Sequence, residues 1–168
     1  MDDNGKMDVL RSSTLFKNLS KEQILSIAPH FEPKKFVAGE VIFDDGSAQT
    51  DGMYVIAGGS IKIYKNLPGE EARQQAIAVL PAGSFFGEMA LLDEETRSAG
   101  ATALEDSELL YLSKESFDGI IGQNLELAHE ILTRISKVMS KRLRDTNNLF
   151  REVVSWGYRA RKEVRDLK

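Results

Sequence analysis

FFGEMALLDEETRSAG, residues 85–100, is the stretch on which the reading of this chain turns. A bulky apolar pair, Phe85-Phe86, runs into Gly87-Glu88 and a short apolar run. Three acids follow, Asp93, Glu94 and Glu95, and then a lone Arg97 amid small residues. A glycine lets backbone come close to a ligand. If EMALL forms a short helical turn, its first N–H groups lack intrahelical partners and point at one spot, which attracts an anion. Arg97 adds a planar cationic fork that matches phosphate oxygens. Ser98 adds a hydroxyl and a further backbone donor. Glu88 repels the anion and instead suits a neutral hydroxyl donor beside it. These residues imply a pocket for an anionic group flanked by a hydroxyl, as in a sugar phosphate. They also fit a second reading, a buried Arg97–Glu88 ion pair holding a β-hairpin together.

The surroundings of that stretch read as β structure. From about Phe31 to Leu112, Gly39, Gly46, Gly52, Gly59, Gly69 and Gly83 punctuate short runs such as EVIF, GMYVI, SIKIYK and QAIAVL. Short strands that turn this often predict a sandwich or barrel. Within SIKIYK, Ile61 and Ile63 share one face while Ser60, Lys62 and Tyr64 share the other. NLPGEEARQQ reads as a polar hairpin loop turned at Pro68-Gly69. TALEDSELLYLS adds a last strand pair, and Ser113 then reads as a helix cap.

Helical zones flank the β zone. In LSKEQI, Ser20 and Gln23 have capping-box spacing, and Leu19 and Ile24 can form a hydrophobic staple. From Gln123 to Lys162 there is no proline and one glycine, Gly157. Alternating steps of four and three from Ala128 reach Leu132, Ile135, Met139, Arg142, Thr146, Leu149, Val153, Trp156 and Ala160. All but Arg142 and Thr146 are apolar, which predicts a coiled-coil-like seam and favours a homodimer through this helix over a helix folded back on its own β domain. The chain therefore divides into an N-terminal helical segment (1–30), a β domain (31–122), a long helix (123–149) and a basic helical tail (150–168).

Composition bounds the function. The chain has 168 residues and 42% hydrophobic content, enough for one core domain with an appendage. Net charge is -4, yet residues 134–168 carry +7 and the rest -11. A basic tail on an acidic body suits nucleic acid or an anionic surface, an acidic partner including this same body, or a solvated helix face. No apolar run is long enough to span a membrane, and the polar start MDDNGKMDVL does not suit a signal peptide. With no Cys, disulfides, thiolate metal sites and cysteine nucleophiles are excluded, as befits a cytoplasmic protein. The two histidines, His30 and His129, lie in different zones, and no catalytic triad order or metal-ligand spacing stands out, so neither an enzyme nor a metal site is expected.

FFGEMALLDEETRSA resembles the phosphate-binding cassette of the cyclic nucleotide-binding domains: F-G-E, an aliphatic stretch, then Arg and two small residues. LFKNLSKEQI resembles that family's opening helix, VAGEVIFDDG its early strand-turn-strand, and GMYVIAGGSIKIYK the next strands. The resemblance covers about residues 12–148. It implies a mainly β fold, an eight-stranded β-roll with N-terminal helices and a long C-terminal helix, holding cyclic AMP or cyclic GMP without a metal. It implies that Arg97 pairs with the cyclic phosphate and that Glu88 accepts from the ribose 2′-hydroxyl. Gly87, Met89, Ala90, Ser98 and Ala99 would line phosphate and sugar, and Ile77 and Leu80 would wall the base.

KRLRDTNN is similar to the stretch of the cyclic AMP-activated transcription factors in which a Thr-Ser pair on the dimer helix meets the base. Thr146 falls at the threonine, Asn147 replaces the serine, and Arg142 lies nearby. Thr146 also fits a polar seam residue that sets register. The KRLRDTN resemblance favours cyclic AMP, although Ser98 occurs with either base. In those factors a helix-turn-helix follows; here 19 residues follow Leu149, too few for a three-helix reader, so sequence-specific DNA binding is not expected. The tail, with Val153, Trp156 and Ala160 as an apolar stripe, is expected to dock on the partner subunit or on an effector protein. Two other readings are a same-fold sensor of another ligand and a coiled-coil interaction protein without nucleotide binding.

Overall fold

Alternation of apolar and polar residues around glycine turns produces two four-stranded antiparallel sheets in the computed structural model, which describes residues 1–48, 51–67, 73–93 and 95–166, the side chains at 149, 152–153, 157 and 159–166 excepted. The strands are β1 (Glu32–Phe36), β2 (Val41–Phe43), β3 (Gly52–Gly58), β4 (Ser60–Asn66), β5 (Gln74–Pro81), β6 (Phe85–Phe86), β7 (Gly100–Ala103) and β8 (Ser107–Ser113). One sheet runs β1-β8-β3-β6 and the other β2-β7-β4-β5, the eight-stranded roll that the family resemblance implies. Gly39, Gly46, Gly59 and Gly83 all take positive φ at its turns. Leu67 N–H donates to the Arg73 carbonyl at 2.9 Å, closing the β4–β5 hairpin. The Pro68-Gly69 turn lies outside the described residues.

The core lies between the inner faces. Ile56, Ile61, Phe86, Ala101, Ala103 and Leu109 are buried together, and Phe36, Ile42, Phe43, Tyr54, Ile63 and Leu80 pack against them. Ile61 and Ile63 pair with Ala103 and Ala101 across β4 and β7, so small residues face large ones. Tyr64, on the opposite face of β4, is also fully buried. Its ring lies across Gly100, where a Cβ would stand 2.2 Å from the ring, and its hydroxyl donates to Asp44 at 2.9 Å.

Helices α1 (Asp3–Ser12) and α2 (Lys21–Ile27), with a 3-10 turn at Ala28–His30, form a second apolar cluster. Leu10, Leu15, Phe16, Ile24, Ile27 and Phe31 are buried in it, with Phe16 edge-on to Phe31 at 5.6 Å. The Ser20–Gln23 capping box forms as expected, and both staple residues, Leu19 and Ile24, are buried. Ser113 caps α3 (Lys114–Gln123) by accepting from the Ser116 N–H.

Helix α4 runs without interruption from Leu125 to Asp166, so residues 150–166 continue the same helix. The chain forms two compact units, Met1–Ile131 and Leu132–Lys168. The first holds the roll, the N-terminal helices, α3 and the opening of α4, whose Leu127, Ala128 and Ile131 are buried. The second is the rest of α4. On it, Trp156, one of the seam positions, is 73% exposed.

Candidate functional site

The cassette folds as its residue types dictate. β6 ends at Phe86, and Gly87 turns the chain with φ 75° and ψ 10°, a left-handed conformation that side-chain-bearing residues adopt at a cost. Glu88–Leu91 follow as one 3-10 turn. The chain then returns through Arg97 to β7. Two backbone hydrogen bonds pin Arg97 to the turn after β2: its N–H donates to Ser47 O at 2.9 Å, and its carbonyl accepts from Gly46 N–H at 2.9 Å.

From that anchor the Arg97 side chain reaches inward and is 5% exposed. Nη1 donates to the carbonyls of Gly52 at 3.0 Å and Gly87 at 3.2 Å. Nη2 donates to the Asp51 carboxylate at 3.4 Å. The guanidinium carbon lies 4.1 Å from the centre of the Phe43 ring. Burial pushes the guanidinium pKa below its ordinary value, and Tyr54, Asp51 and Tyr111 oppose that shift. Arginine starts so far above neutrality that it stays charged. Tyr54 and Tyr111 are shifted upward, first by burial and then by the Asp51 charge, with Arg97 opposing. The Tyr111 hydroxyl donates to the Asp51 carbonyl at 2.9 Å, which steadies the chain that carries the carboxylate.

The other expected site residues divide into groups. Glu88 and Ala90 are buried in the 3-10 turn, and Met89 is 37% exposed. Ala90 N–H donates to the Gly87 carbonyl at 3.2 Å, while the Ser98 hydroxyl reaches Met89 Sδ at 3.3 Å. Gly87, Met89, Arg97 and Ser98 are thus drawn into one patch, with Ala99 leading into β7. Leu80 faces inward, opposite Ile61. Ile77 falls in the bulge where Ile63 pairs with Ala78 and Tyr64 with Ala76, and it is 54% exposed. Arg142, Thr146 and Asn147 lie on the second unit, where the Thr146 hydroxyl donates to the Arg142 carbonyl at 2.9 Å, one turn back along the helix.

Sequence reasoning missed Phe43, Asp51, Gly52 and Tyr54. Asp51 and Tyr54 are 46 and 43 positions before Arg97 in the chain, and only the pairing of β3 with β6 and β8 brings them beside the cassette. The polar step Asp51-Gly52 before an apolar strand was the one available signal. Among the described residues, no three His, Cys, Asp or Glu side chains gather to hold a metal. Among the same residues, no helix is long and apolar enough to cross a membrane.

Comparison with known proteins agrees with this geometry. The family model of the cyclic nucleotide-binding domain matches residues 33–124. The chain is 32% identical over 138 residues to the cyclic AMP receptor protein of Thermus thermophilus, covering 82% of this chain and 61% of that protein. It is 34% identical over 124 residues to a cGMP-dependent protein kinase of Drosophila melanogaster, covering 73% of this chain and 16% of the kinase. The crystal structure of the Thermus thermophilus catabolite activator protein superposes with a TM-score of 0.73 at 31% identity, covering 85% of this chain and 63% of that one. The chain thus spans less than two thirds of the length of each. It belongs to the cyclic nucleotide-binding domain family.

Proposed function

We propose that this member of the cyclic nucleotide-binding domain family is a regulatory sensor that binds cyclic AMP in preference to cyclic GMP. The observation that carries the reading is the placement of Arg97. A buried, permanently charged guanidinium lies beside the left-handed Gly87, with Met89 and Ser98 in contact close by. In this reading Arg97 takes the cyclic phosphate, Glu88 accepts from the ribose 2′-hydroxyl, and Gly87, Met89, Ala90, Ser98 and Ala99 line phosphate and sugar. Leu80 and Ile77 meet the base. The similarity to a cyclic AMP receptor and to a cGMP-dependent kinase supports a cyclic nucleotide and leaves the base to be argued separately. The KRLRDTN stretch of α4 favours adenine, read by Thr146 and Asn147 with Arg142 nearby.

The output in this reading is a shift of α4. A ligand moves such an equilibrium only by binding one helix position better than the other. The apolar seam of α4 suits a homodimer, and its basic end suits an effector protein in the cytoplasm. The chain acts by binding and not by catalysis.

Calorimetric titration of the full chain with cyclic AMP and cyclic GMP, side by side, tests the reading. Saturable binding with the adenine nucleotide tighter is expected. Failure of both nucleotides to bind overturns the sensor reading, and a preference for cyclic GMP overturns the base assignment alone.

A further inference from the structure

A buried guanidinium needs compensation for the water it loses, and hydrogen bonds serve only its edges. Arg97 donates from Nη1 to two carbonyls and from Nη2 to Asp51. The guanidinium carbon lies over the Phe43 ring, 4.1 Å from its centre, well inside the distance at which the negative ring face attracts a cation. Phe43 is itself held by other rings. Its centre is 5.8 Å from that of Phe86 and 6.1 Å from that of Tyr54. Those two rings stack on each other at 5.3 Å with 13° between planes. The three rings come from β2, β6 and β3, so both sheets contribute to the support.

We propose that Phe43 is a positioning residue for anion binding: its ring is the platform that holds the Arg97 guanidinium flat and in register with the cassette. The inference rests on the reading of Arg97 as the phosphate ligand. A ring attracts a cation through its π face and takes up none of the N–H donors, so such a platform does not compete with oxygen acceptors for the guanidinium. A platform of this kind limits the rotamers open to Arg97 before ligand arrives, and pre-ordering lowers the cost of binding. A leucine at 43 fills much of the same space and has no ring face.

The test uses the full chain with Phe43 replaced by phenylalanines bearing one, two and three ring fluorines, and separately by leucine. Each added fluorine withdraws charge from the ring face and leaves the shape nearly intact. Cyclic AMP and cyclic GMP affinities are measured by calorimetry, and the Arg97 side-chain protons are followed by NMR without ligand. The expected result is a Kd that climbs with each fluorine and rises roughly three- to tenfold in Phe43→Leu. Ring-current-shifted Arg97 δ protons in the wild type should lose that shift in Phe43→Leu. A Kd flat across the fluorine series overturns the proposal, even if leucine weakens binding, because shape alone would then explain the effect. If the wild type binds neither nucleotide, the sensor reading falls. The platform is then judged by NMR: shifted Arg97 protons uphold it, and unshifted ones overturn it.

Discussion

Arg97 Nη1 lies 3.2 Å from the carbonyl oxygen of Gly87, ten residues earlier in the chain. A side chain at residue 87 would crowd that contact. A Cβ there would stand 2.9 Å from Nη1 and 3.3 Å from the Gly52 carbonyl, on a backbone with φ +75°. Gly87→Ala is therefore expected to destabilise the fold by about 1–3 kcal/mol, from left-handed strain and crowding together. It should also weaken nucleotide binding, because Arg97 must move. Urea unfolding and calorimetry on the same variant check both; an unchanged affinity would show that Arg97 tolerates the displacement.

Arg97→Ala should weaken cyclic nucleotide binding at least roughly tenfold to a hundredfold, because charged hydrogen bonds contribute about 1.5–3 kcal/mol each. Arg97→Lys should recover only part of this, since an ammonium lacks the planar fork. Calorimetry at fixed ionic strength measures both. Wild-type affinity in Arg97→Ala would remove the phosphate role.

Glu88 is buried in the 3-10 turn after Gly87, and the proposed reading gives it the sugar hydroxyl. The wild type should therefore bind a 2′-deoxy cyclic nucleotide roughly tenfold or more weakly than the ribose form. In Glu88→Ala the two ligands should bind alike. A discrimination that survives this substitution assigns the hydroxyl to another group.

Gly100→Ala should destabilise the roll by roughly 1–3 kcal/mol, because the Tyr64 ring occupies the space a Cβ would take. The double variant Gly100→Ala/Tyr64→Ala relieves that clash, so its loss should be smaller than the sum of the single losses. Additive losses in urea unfolding would argue against the contact.

Alkaline pH should weaken the fold through Tyr54 and Tyr111. Both phenol pKa values are raised in the folded protein, by burial first and then by Asp51. Their unfolded value is about 10. Each therefore contributes stability that is complete below that pH and is lost as pH rises through the folded value. Unfolding free energy should fall with pH above about 10, and less steeply in Tyr54→Phe or Tyr111→Phe. Equal slopes in the wild type and both variants would refute this.

Much of the molecule is legible locally. The Ser20–Gln23 cap, the Ser113 cap, the glycine turns and the alternation in β4 all follow from near neighbours. The cassette is legible because residues 85–100 are contiguous. The supports of Arg97 are not, because β3 and β2 arrive from distant parts of the chain. Periodicity likewise sets Ile61 and Ile63 against Tyr64 on opposite faces, yet Tyr64 is buried by the absence of a side chain at Gly100, a cross-strand fact.

Residues 31–112 alone imply many short, glycine-punctuated strands, and residues 85–100 a lone arginine in a stretch fit for an anion. Those properties depend on residue type and short-range spacing, which the chain carries in one dimension. What surrounds the guanidinium is set by packing: Phe43 beneath it, Asp51 and the Gly52 carbonyl beside it, and Gly87 making room. Charge burial is a property of three-dimensional packing. The contacts that compensate it come from whichever strands the sheet pairing brings near.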